Sequence, residues 1–152
     1  MKNPLVSIIL VNWNGKSYIG QCLRSLDKIT YRPYEIIVVD NASTDGSVPY
    51  VRRIFPKTLV IENKNNLGFA QGHDAALARV SGEFVLLLNT DTTVEPHFLT
   101  DLVEATQRNE TIGVVQPKVL MAAENRRIDS IGSFFLPTGL LYHFGREKNE
   151  TM

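Results

Sequence analysis

Three consecutive polar residues, Asn89, Thr90 and Asp91, follow the most hydrophobic run of the chain, residues 84–88. In an extended backbone the side chains at positions i and i+2 project to the same side, so Asn89 and Asp91 can present an amide oxygen and a carboxylate to one point. Divalent cations such as Mg²⁺ combine one or two such carboxylates with substrate phosphates and water. The tripeptide therefore favours a metal and phosphate site, although Asn89 could instead begin a turn and Asp91 could cap the next helix.

A second acidic residue, Asp40, directly follows the apolar run 36–39 and opens the polar segment 41–47. Its carboxylate can accept a hydrogen bond from a ribose hydroxyl or from a base N–H. A cap or turn is the structural alternative. Because open parallel sheets bind ligands at the carboxyl ends of their strands, this position favours ligand binding by Asp40.

The segment 66–72 carries Gly68 and Gly72 at the start of a predicted helix. Glycine lets a backbone approach a ligand closely, and the free N–H groups of a helix N-terminus attract phosphate. An equally supported alternative is that the glycines let the helix pack closely on the sheet. His73 is expected to be a surface or hydrogen-bonded residue rather than a catalytic one, and Trp13 to pack between loop and helix rather than stack on a base.

The elements that must position these residues alternate between apolar runs and segments of helical periodicity. Strands are predicted at residues 5–11, 36–39, 59–61, 84–88 and 113–116, and helices at 16–26, 48–55, 68–80 and 96–106. Continuous apolar runs are typical of strands covered on both faces, and the run 84–88 is predicted to be buried and central. The alternation predicts an α/β fold with a mostly parallel central sheet and helices on both faces. Beyond Pro117 it fades, which predicts small strands or an irregular flap.

Composition excludes several classes of protein. The chain has 152 residues and a formal net charge of +0, which argues against nucleic-acid binding through bulk charge. A single cysteine, Cys22, excludes an intrachain disulfide and a multi-thiolate zinc site, and its helical spacing from Leu26 predicts a buried position. Neither a signal sequence nor an apolar run of membrane-spanning length is recognisable, so a cytoplasmic location is expected.

Four segments together resemble the family 2 glycosyltransferases, above all the rhamnosyltransferase-like members of bacteria and archaea. They are SIILVNWN at 7–14, VVDNASTDGS at 38–47, NLGFA at 66–70 and LLNTD at 87–91. The resemblance extends from about Leu5 to about Gly145. It implies the GT-A fold, a Rossmann-like nucleotide-binding sheet flanked by helices and followed by an acceptor-binding region.

The resemblance also implies roles for particular residues. The positions that would border a nucleotide-sugar donor are Val11, Asn12, Asn14, Asp40, Asn66, Gly68 and Asn89. Asp40 would hydrogen-bond the base, typically a pyrimidine. Asn89-Thr90-Asp91 would occupy the Asp-x-Asp position of the family, with Asp91 binding a Mg²⁺ or Mn²⁺ on the donor diphosphate. Asn89 replaces the first acid of that motif, which removes one charge from the site.

The implied activity is transfer of a sugar, with inversion, from a nucleotide-diphosphate sugar to a hydroxyl of a glycan or lipid-linked acceptor, as in polysaccharide and cell-wall biosynthesis. Residues 1–117 would form the donor-binding core, and 118–152 the start of an acceptor-side region. A general base must take the proton of the acceptor hydroxyl. It is expected beyond Met152, which makes the chain a donor-binding part, working in the cytoplasm or at the inner membrane face.

Three other functions are alternatives to this one. A catalytically incomplete nucleotide-binding or assembly module of the same fold is the main alternative, with self-association through the apolar residues 134–136 and 140–142. A dinucleotide-dependent oxidoreductase needs a Gly-x-Gly-x-x-Gly turn after the first strand, and residues 12–15 do not supply it. A phosphoacceptor signalling domain needs paired acids there, where Asn12 and Asn14 stand.

Overall fold

The computed structural model describes residues 3–122, 127–135 and 141–151. The chain divides into two compact units, residues 1–99 and 100–152. The first unit contains β1 (Val6–Asn12), α1 (Lys16–Leu26), β2 (Tyr34–Asp40), α2 (Ser47–Ile54), β3 (Leu59–Glu62), α3 (Gly68–Leu77) and β4 (Phe84–Asn89). Helix α4 (Phe98–Gln107) crosses the division, and β5 (Val119–Leu120), β6 (Ile128–Ser130), β7 (Gly132–Phe135) and β8 (Leu141–Phe144) follow. Within the described ranges, no helix is both long and apolar enough to cross a bilayer.

Strands β1 to β4 form one parallel sheet in the order β3-β2-β1-β4. The register sets Asn12 beside Asp40 and Val11 beside Asn89. Because the strands run in the same direction, their carboxyl ends meet at one edge of the sheet, and the loops that carry the predicted site residues all leave from it. The expected α/β fold with a parallel central sheet and helices around it is confirmed.

The core of the first unit lies around β1, which like β2 has a neighbouring strand on each side. Ile8, Ile9 and Leu10 have no exposed surface, which is the burial expected of a continuous apolar run in a parallel sheet. Helix α1 buries one face, which includes Cys22 and Leu26. The predicted burial of Cys22 is therefore confirmed.

Strand β4 lies at an edge of the described sheet, so the prediction of a buried, central strand is wrong. It pairs with β1 alone among the described strands, and its residues alternate between half-buried and exposed. Val85 is 43% exposed and Leu87 is 51% exposed. Successive side chains of a strand point to opposite faces, and here one face of β4 is uncovered. An unbroken apolar run therefore did not indicate burial on both faces.

The predicted fifth strand at residues 113–116 is also wrong, because the segment 112–118 is irregular. Val114 is 89% exposed. A strand is stabilised by ladder hydrogen bonds to a neighbour, and Pro117 has no N–H to contribute to one. The chain becomes extended and paired only from Val119 onward, in β5.

The second unit contains short antiparallel pairs, β5 with β6 and β7 with β8. The small strands predicted beyond Pro117 are thus present. The structure divides the chain at Leu99 and Thr100, whereas the functional boundary was expected at residue 117. That boundary stays a prediction. The side chains of the predicted self-association segment, residues 134–136 and 140–142, lie outside the described part of the chain.

Candidate functional site

The carboxyl ends of β1 and β2 are joined by a buried amide–carboxylate hydrogen bond. The Nδ2 atom of Asn12 donates to Oδ1 of Asp40 at 2.8 Å, and the two residues are 1% and 2% exposed. The same nitrogen lies 3.1 Å from Ser43 Oγ and 2.9 Å from Ser47 Oγ. Since the Ser47 hydroxyl donates its own proton to Asp45, it accepts from Asn12. Asn12 thus connects β1 to the loop that follows β2.

Asp40 uses its second carboxylate oxygen within this loop. Its Oδ2 atom accepts from the backbone N–H of Ser43 at 2.8 Å. Both oxygens are therefore engaged, and Asp40 lies beneath the surface of the site rather than on the cavity wall. In this structure Asp40 holds the loop 41–47, and its expected hydrogen bond to a base stays a prediction.

Asp45 fastens the same loop to the first turn of α1. Its Oδ2 accepts from the Lys16 N–H at 2.8 Å, and its Oδ1 accepts from the N–H of Ser47 at 3.0 Å and from the Ser47 hydroxyl at 2.6 Å. Burial raises the pKa of the Asp45 carboxyl, but these hydrogen bonds outweigh burial and leave the pKa below its ordinary value of 3.8. At neutral pH the loop is held by an ionised carboxylate.

Asn41 connects the end of β2 with the start of α3, a role that no sequence motif indicated. Its Nδ2 donates to the carbonyl of Gly68 at 3.0 Å, and its Oδ1 accepts from Asn63 Nδ2 at 2.8 Å. Its backbone N–H donates to the carbonyl of Asn12 at 2.8 Å. Three loops of the sheet edge therefore meet at one buried amide. The available signal was an amide residue placed directly after the strand-ending acid Asp40.

Asn66 and Gly68 shape the entry to α3. The Oδ1 atom of Asn66 accepts from the Gly68 N–H at 2.9 Å, and Gly68 has a φ of 75°, which glycine adopts without steric cost. Farther along the helix, a Cβ atom on Gly72 would lie 2.8 Å from Val11 Cγ1. Of the two alternatives for this glycine-containing segment, the close helix–sheet contact is observed, and phosphate binding stays a prediction.

A cavity of about 340 Å³ opens at this edge of the sheet. The residues that line it are Val11, Trp13, Asn14, Gly15, Tyr18, Phe69, His73, Asn89, Thr90 and Asp91. Four of the predicted site residues are on this wall, namely Val11, Asn14, Asn89 and Asp91. The other four, Asn12, Asp40, Asn66 and Gly68, are not; Asn12, Asp40 and Gly68 take part in the hydrogen bonds that hold the surrounding loops, and Asn66 caps the turn into α3.

Three exposed aromatic side chains border the cavity. Trp13 is 60% exposed, Tyr18 58% and Phe69 62%. The expectation that Trp13 packs between a loop and a helix is wrong. Asn12 fills the interior position at the end of β1, so the next side chain points outward. Tyr18 and Phe69 were not among the predicted site residues, because helical spacing alone does not show whether an aromatic ring lies in the core or borders a cavity.

His73 is hydrogen-bonded as expected, but it is buried on the cavity wall instead of lying at the surface. It is 6% exposed, and its Nδ1 lies 2.8 Å from the carbonyl oxygen of Phe69. The two rings are in contact, with centroids 4.3 Å apart and planes inclined by 54°. The first two turns of α3 therefore bring an exposed aromatic ring and a polar ring to the same wall.

Cys22 approaches the site from the core side. Its Sγ atom lies 3.7 Å from the backbone oxygen of Asn89. Burial and, to a smaller extent, the negative charge of Asp91 raise the pKa of the thiol to about 12. Because the thiolate is the nucleophilic form of cysteine, Cys22 is a poor nucleophile at neutral pH.

A second cavity, of about 510 Å³, lies in the second unit and is lined by Arg127, Glu147, Lys148, Asn149 and Thr151. It is larger, but it includes no strand end of the parallel sheet and none of the predicted site residues. Among the described residues, its wall also includes no aromatic ring and no buried polar group that would orient a ligand. The smaller cavity is therefore the candidate site.

The sequence profile described as glycosyl transferase family 2 matches residues 7–148. The chain belongs to this family. An uncharacterized glycosyltransferase of Haemophilus influenzae is 30% identical over 112 residues, which are 72% of this chain and 35% of the relative. Chondroitin synthase of Pasteurella multocida is 25% identical over 151 residues, which are 97% of this chain and 15% of the synthase. The family 2 chain thus spans about a third, or less, of the length of these relatives.

Solved structures of GT-A enzymes superpose on the family 2 chain. TarS of S. aureus in complex with UDP-GlcNAc gives a TM-score of 0.62 at 29% identity and covers 66% of this chain and 30% of its own. The mannosyltransferase PcManGT of Pyrobaculum calidifontis, in complex with GDP-Man and Mn2+, gives 0.66 at 26% identity and covers 79% and 35%. The expected GT-A fold is confirmed, and membership of the rhamnosyltransferase-like branch stays a prediction.

The cavity wall fits a cation of a particular kind. In the described part of the chain, no three His, Cys, Asp or Glu side chains are grouped so that they could hold a metal ion. Asn89 and Asp91 nevertheless both line the cavity and offer an amide oxygen and a carboxylate. Mg²⁺ and related hard cations bind to such sites when substrate phosphates and water supply the remaining ligands. The residues fit a cation shared with a diphosphate, not a metal held by protein alone.

Proposed function

We propose that this family 2 chain binds a nucleotide-diphosphate sugar in the 340 Å³ cavity, as the donor-binding part of an inverting glycosyltransferase. The observation that carries the proposal is the composition of the cavity wall. Exposed rings and the oxygens of Asn89 and Asp91 line one hollow at the carboxyl edge of a parallel sheet. A nucleotide sugar has the matching groups, a flat base and a diphosphate.

The base and ribose occupy the aromatic part of the wall. Trp13 and Phe69 offer ring faces on which a base can stack, and Val11 and Asn14 complete that side. Asn12 and Asp40 act from beneath by holding the loop 41–47. For Asp40 to accept a hydrogen bond directly from the base, the loop 41–47 must move to expose the Asp40 carboxylate, because the residue is only 2% exposed. TarS was solved with a uridine nucleotide and PcManGT with a guanosine nucleotide, so the proposal names the ligand class and not the base.

The diphosphate lies against the end of β4, where Asn89 and Asp91 would hold a Mg²⁺ or Mn²⁺ that it shares. When bound, such a cation offsets the negative charge that develops on the leaving phosphates. The chain's own contribution is to fix the position of the diphosphate. Asn89 is the last residue of β4, and its backbone oxygen accepts from the N–H of Thr92 at 3.3 Å, which closes a turn around Asp91.

Transfer then consists of one displacement. The oxygen of an acceptor hydroxyl forms a bond to the anomeric carbon, the bond to the diphosphate oxygen breaks, and the nucleoside diphosphate leaves with that electron pair. Attack from the opposite face inverts the anomeric centre. The hydroxyl proton passes to a general base. We assign this base to none of the described residues on the cavity wall, where Asp91 is the one carboxylate and is committed to the cation.

The names of the relatives support a proposal for the acceptor. Chondroitin synthase is among them, which supports a glycan or lipid-linked glycan as acceptor and polysaccharide biosynthesis as the process. The proposed place of action is the cytoplasm or the inner face of the membrane. Both statements concern the whole protein to which this donor-binding part belongs.

Calorimetric titration of the chain with UDP-GlcNAc and with GDP-mannose, each with Mg²⁺ or Mn²⁺, tests the proposal. We expect saturable binding of at least one donor, and no binding of NAD⁺ or acetyl phosphate, the ligands of the rival functions. Asp91→Ala should weaken donor binding about tenfold or more and remove its dependence on the cation, because a charge-assisted contact is lost.

The matched control is Asp74→Ala, which removes an exposed carboxylate of α3 that is not on the cavity wall. It should bind the donors as the unsubstituted chain does. Equal losses in both variants, or binding of NAD⁺ in place of both donors, would contradict the proposal. Adding an acceptor glycan and measuring release of nucleoside diphosphate separates a transferase from the alternative, a binding module without catalysis.

A further inference from the structure

His73 carries a buried polar atom that its surroundings do not satisfy. The side chain is 6% exposed and lines the cavity, and its Nε2 atom has no hydrogen-bond partner among the described residues. Most buried polar side-chain atoms in folded proteins are paired, and an unpaired one needs an explanation. Neither of the sequence interpretations of His73, a surface residue or a hydrogen-bonded one, accounts for this nitrogen.

The proton of the neutral ring is fixed on the other nitrogen. Nδ1 lies 2.8 Å from the backbone oxygen of Phe69, one turn earlier in α3. A carbonyl oxygen can only accept, so Nδ1 is the donor of this hydrogen bond. In the neutral imidazole one nitrogen donates and the other accepts. The Nε2 atom of neutral His73 is therefore an acceptor, and the group that satisfies it must bring an N–H or an O–H.

A nucleotide sugar contains groups that can pair with the Nε2 acceptor of the neutral ring and groups that cannot. Phosphate oxygens are acceptors, and they would repel the Nε2 lone pair. The base and the ribose carry N–H and O–H groups. The Phe69 ring lies 4.3 Å from the His73 ring and is 62% exposed, so a base stacked on Phe69 brings its polar edge close to the imidazole.

We infer that His73 is a specificity-determining residue of the proposed donor site, and that its Nε2 atom accepts a hydrogen bond from an N–H or O–H group of the nucleoside portion. The inference rests on the proposed function and deepens it. His73 then discriminates by what a ligand donates: nucleosides that present a proton at this point bind, and analogues that lack it leave the buried nitrogen unpaired.

Two substitutions at His73 test the roles of Nδ1 and Nε2 separately. In His73→Asn the amide N–H can replace Nδ1 and keep the bond to Phe69, while the acceptor at Nε2 is lost. In His73→Gln the longer amide carries an oxygen to the Nε2 position, and the bond to Phe69 is lost. We expect UDP with Mg²⁺ to bind about three- to tenfold more weakly to His73→Asn, the loss of one hydrogen bond, and within about twofold of the unsubstituted affinity to His73→Gln.

Thermal unfolding of the same variants gives the opposite ranking if His73 has this role. His73→Gln should be the less stable, because its hydrogen bond inside α3 is removed, and the more competent in binding. A purely structural histidine would make affinity follow stability. His97→Asn is the matched control, since His97 is exposed, contacts Thr30 and does not line the cavity.

Ligand analogues identify the donating group. UDP, 2′-deoxy-UDP and N3-methyl-UDP are titrated against the unsubstituted chain and against His73→Asn, with GDP in place of UDP if guanosine binds better. The analogue that lacks the N–H or O–H group recognised by Nε2 should bind the unsubstituted chain more weakly than the parent nucleotide does. His73→Asn should bind that analogue and the parent nucleotide with equal affinity. Equal affinity of His73→Asn and the unsubstituted chain overturns the inference while the proposed function stands. Failure of the unsubstituted chain to bind either nucleotide overturns both.

Discussion

Cys22 lies close to the candidate site, but its thiol is expected to be unreactive. Its pKa of about 12 means that, at pH 8, about one thiol in ten thousand is ionised. A free, exposed thiol has a pKa near 8.5 and is about a quarter ionised at that pH. The single cysteine of the chain thus provides a clean probe of the packing beneath Asn89.

We predict that an aromatic disulfide reagent at pH 8 reacts with Cys22 at least about a thousandfold more slowly in the folded chain than after addition of guanidinium. The chain has no second thiol to confuse the signal. Absorbance of the released thiolate measures the rate. Reaction of the folded chain at the rate of free cysteine would show that the thiol is accessible and that its burial is wrong.

The sequence indicated which polar residues lie near the site but not which of them line it. Strand ends identified Asn12, Asp40, Asn89 and Asp91 as neighbours, because parallel strands share a carboxyl edge. Whether each side chain points up into the cavity or down into the loops depends on three-dimensional packing. The side chains of Asn12 and Asp40 form hydrogen bonds with the loop 41–47 and are buried, whereas Asn89 and Asp91 line the cavity.

Helix α3 shows how one element positions several parts of the site. Its first two turns carry Phe69 and His73 to the cavity, and its start is held by Asn41 through the Gly68 carbonyl. Gly72 brings the helix against the sheet, since an added Cβ would lie 2.8 Å from Val11 Cγ1 and 3.2 Å from Asn41 Nδ2. Gly72 therefore sets the distance between strand β1 and helix α3, which carries Phe69 and His73.

Gly72→Val should lower the free energy of unfolding by about 1–3 kcal/mol, because overpacking a contact costs more than the helix propensity that valine gains over glycine, less than about 1 kcal/mol. Urea unfolding followed by circular dichroism measures the change. Ala70→Val, a β-branched substitution at an exposed position of the same helix, should change stability by less than about 0.5 kcal/mol. Similar stabilities of the two variants would contradict the close contact.

Hydrophobic periodicity and the positions of glycine and proline closely predicted the helices and strands of the first unit. Helix α1 has the predicted bounds, Lys16–Leu26, and Pro56 follows α2 as a helix stop. The errors concern strands: β4 is an edge strand, and residues 112–118 form none. An apolar run indicates a tendency to be buried. Whether it pairs as a strand depends on which other strands lie beside it, and the local sequence does not determine this.

At the scale of the whole molecule, the site arises from the parallel topology. The β-α-β order brings the loops after β1, β2 and β3 and the end of β4 to one edge of the sheet. Hydrogen bonds between Asn12, Asp40 and Asn41 then hold those loops in fixed relation. A net charge of +0 offers a diphosphate no general attraction, so binding depends on the local cation and on the groups of the cavity.

The most direct test of donor binding in this cavity uses Trp13, the only tryptophan in the sequence and an exposed part of the wall. Its fluorescence, excited at 295 nm to limit nucleotide absorption, is titrated with UDP-GlcNAc and GDP-mannose in Mg²⁺, with N-acetyltryptophanamide as a correction for collisional quenching. We predict a saturable change for at least one donor, with a midpoint equal to the calorimetric Kd, that Asp91→Ala shifts about tenfold or more. Donor binding by calorimetry without any change at Trp13 would place the ligand elsewhere and contradict the assignment.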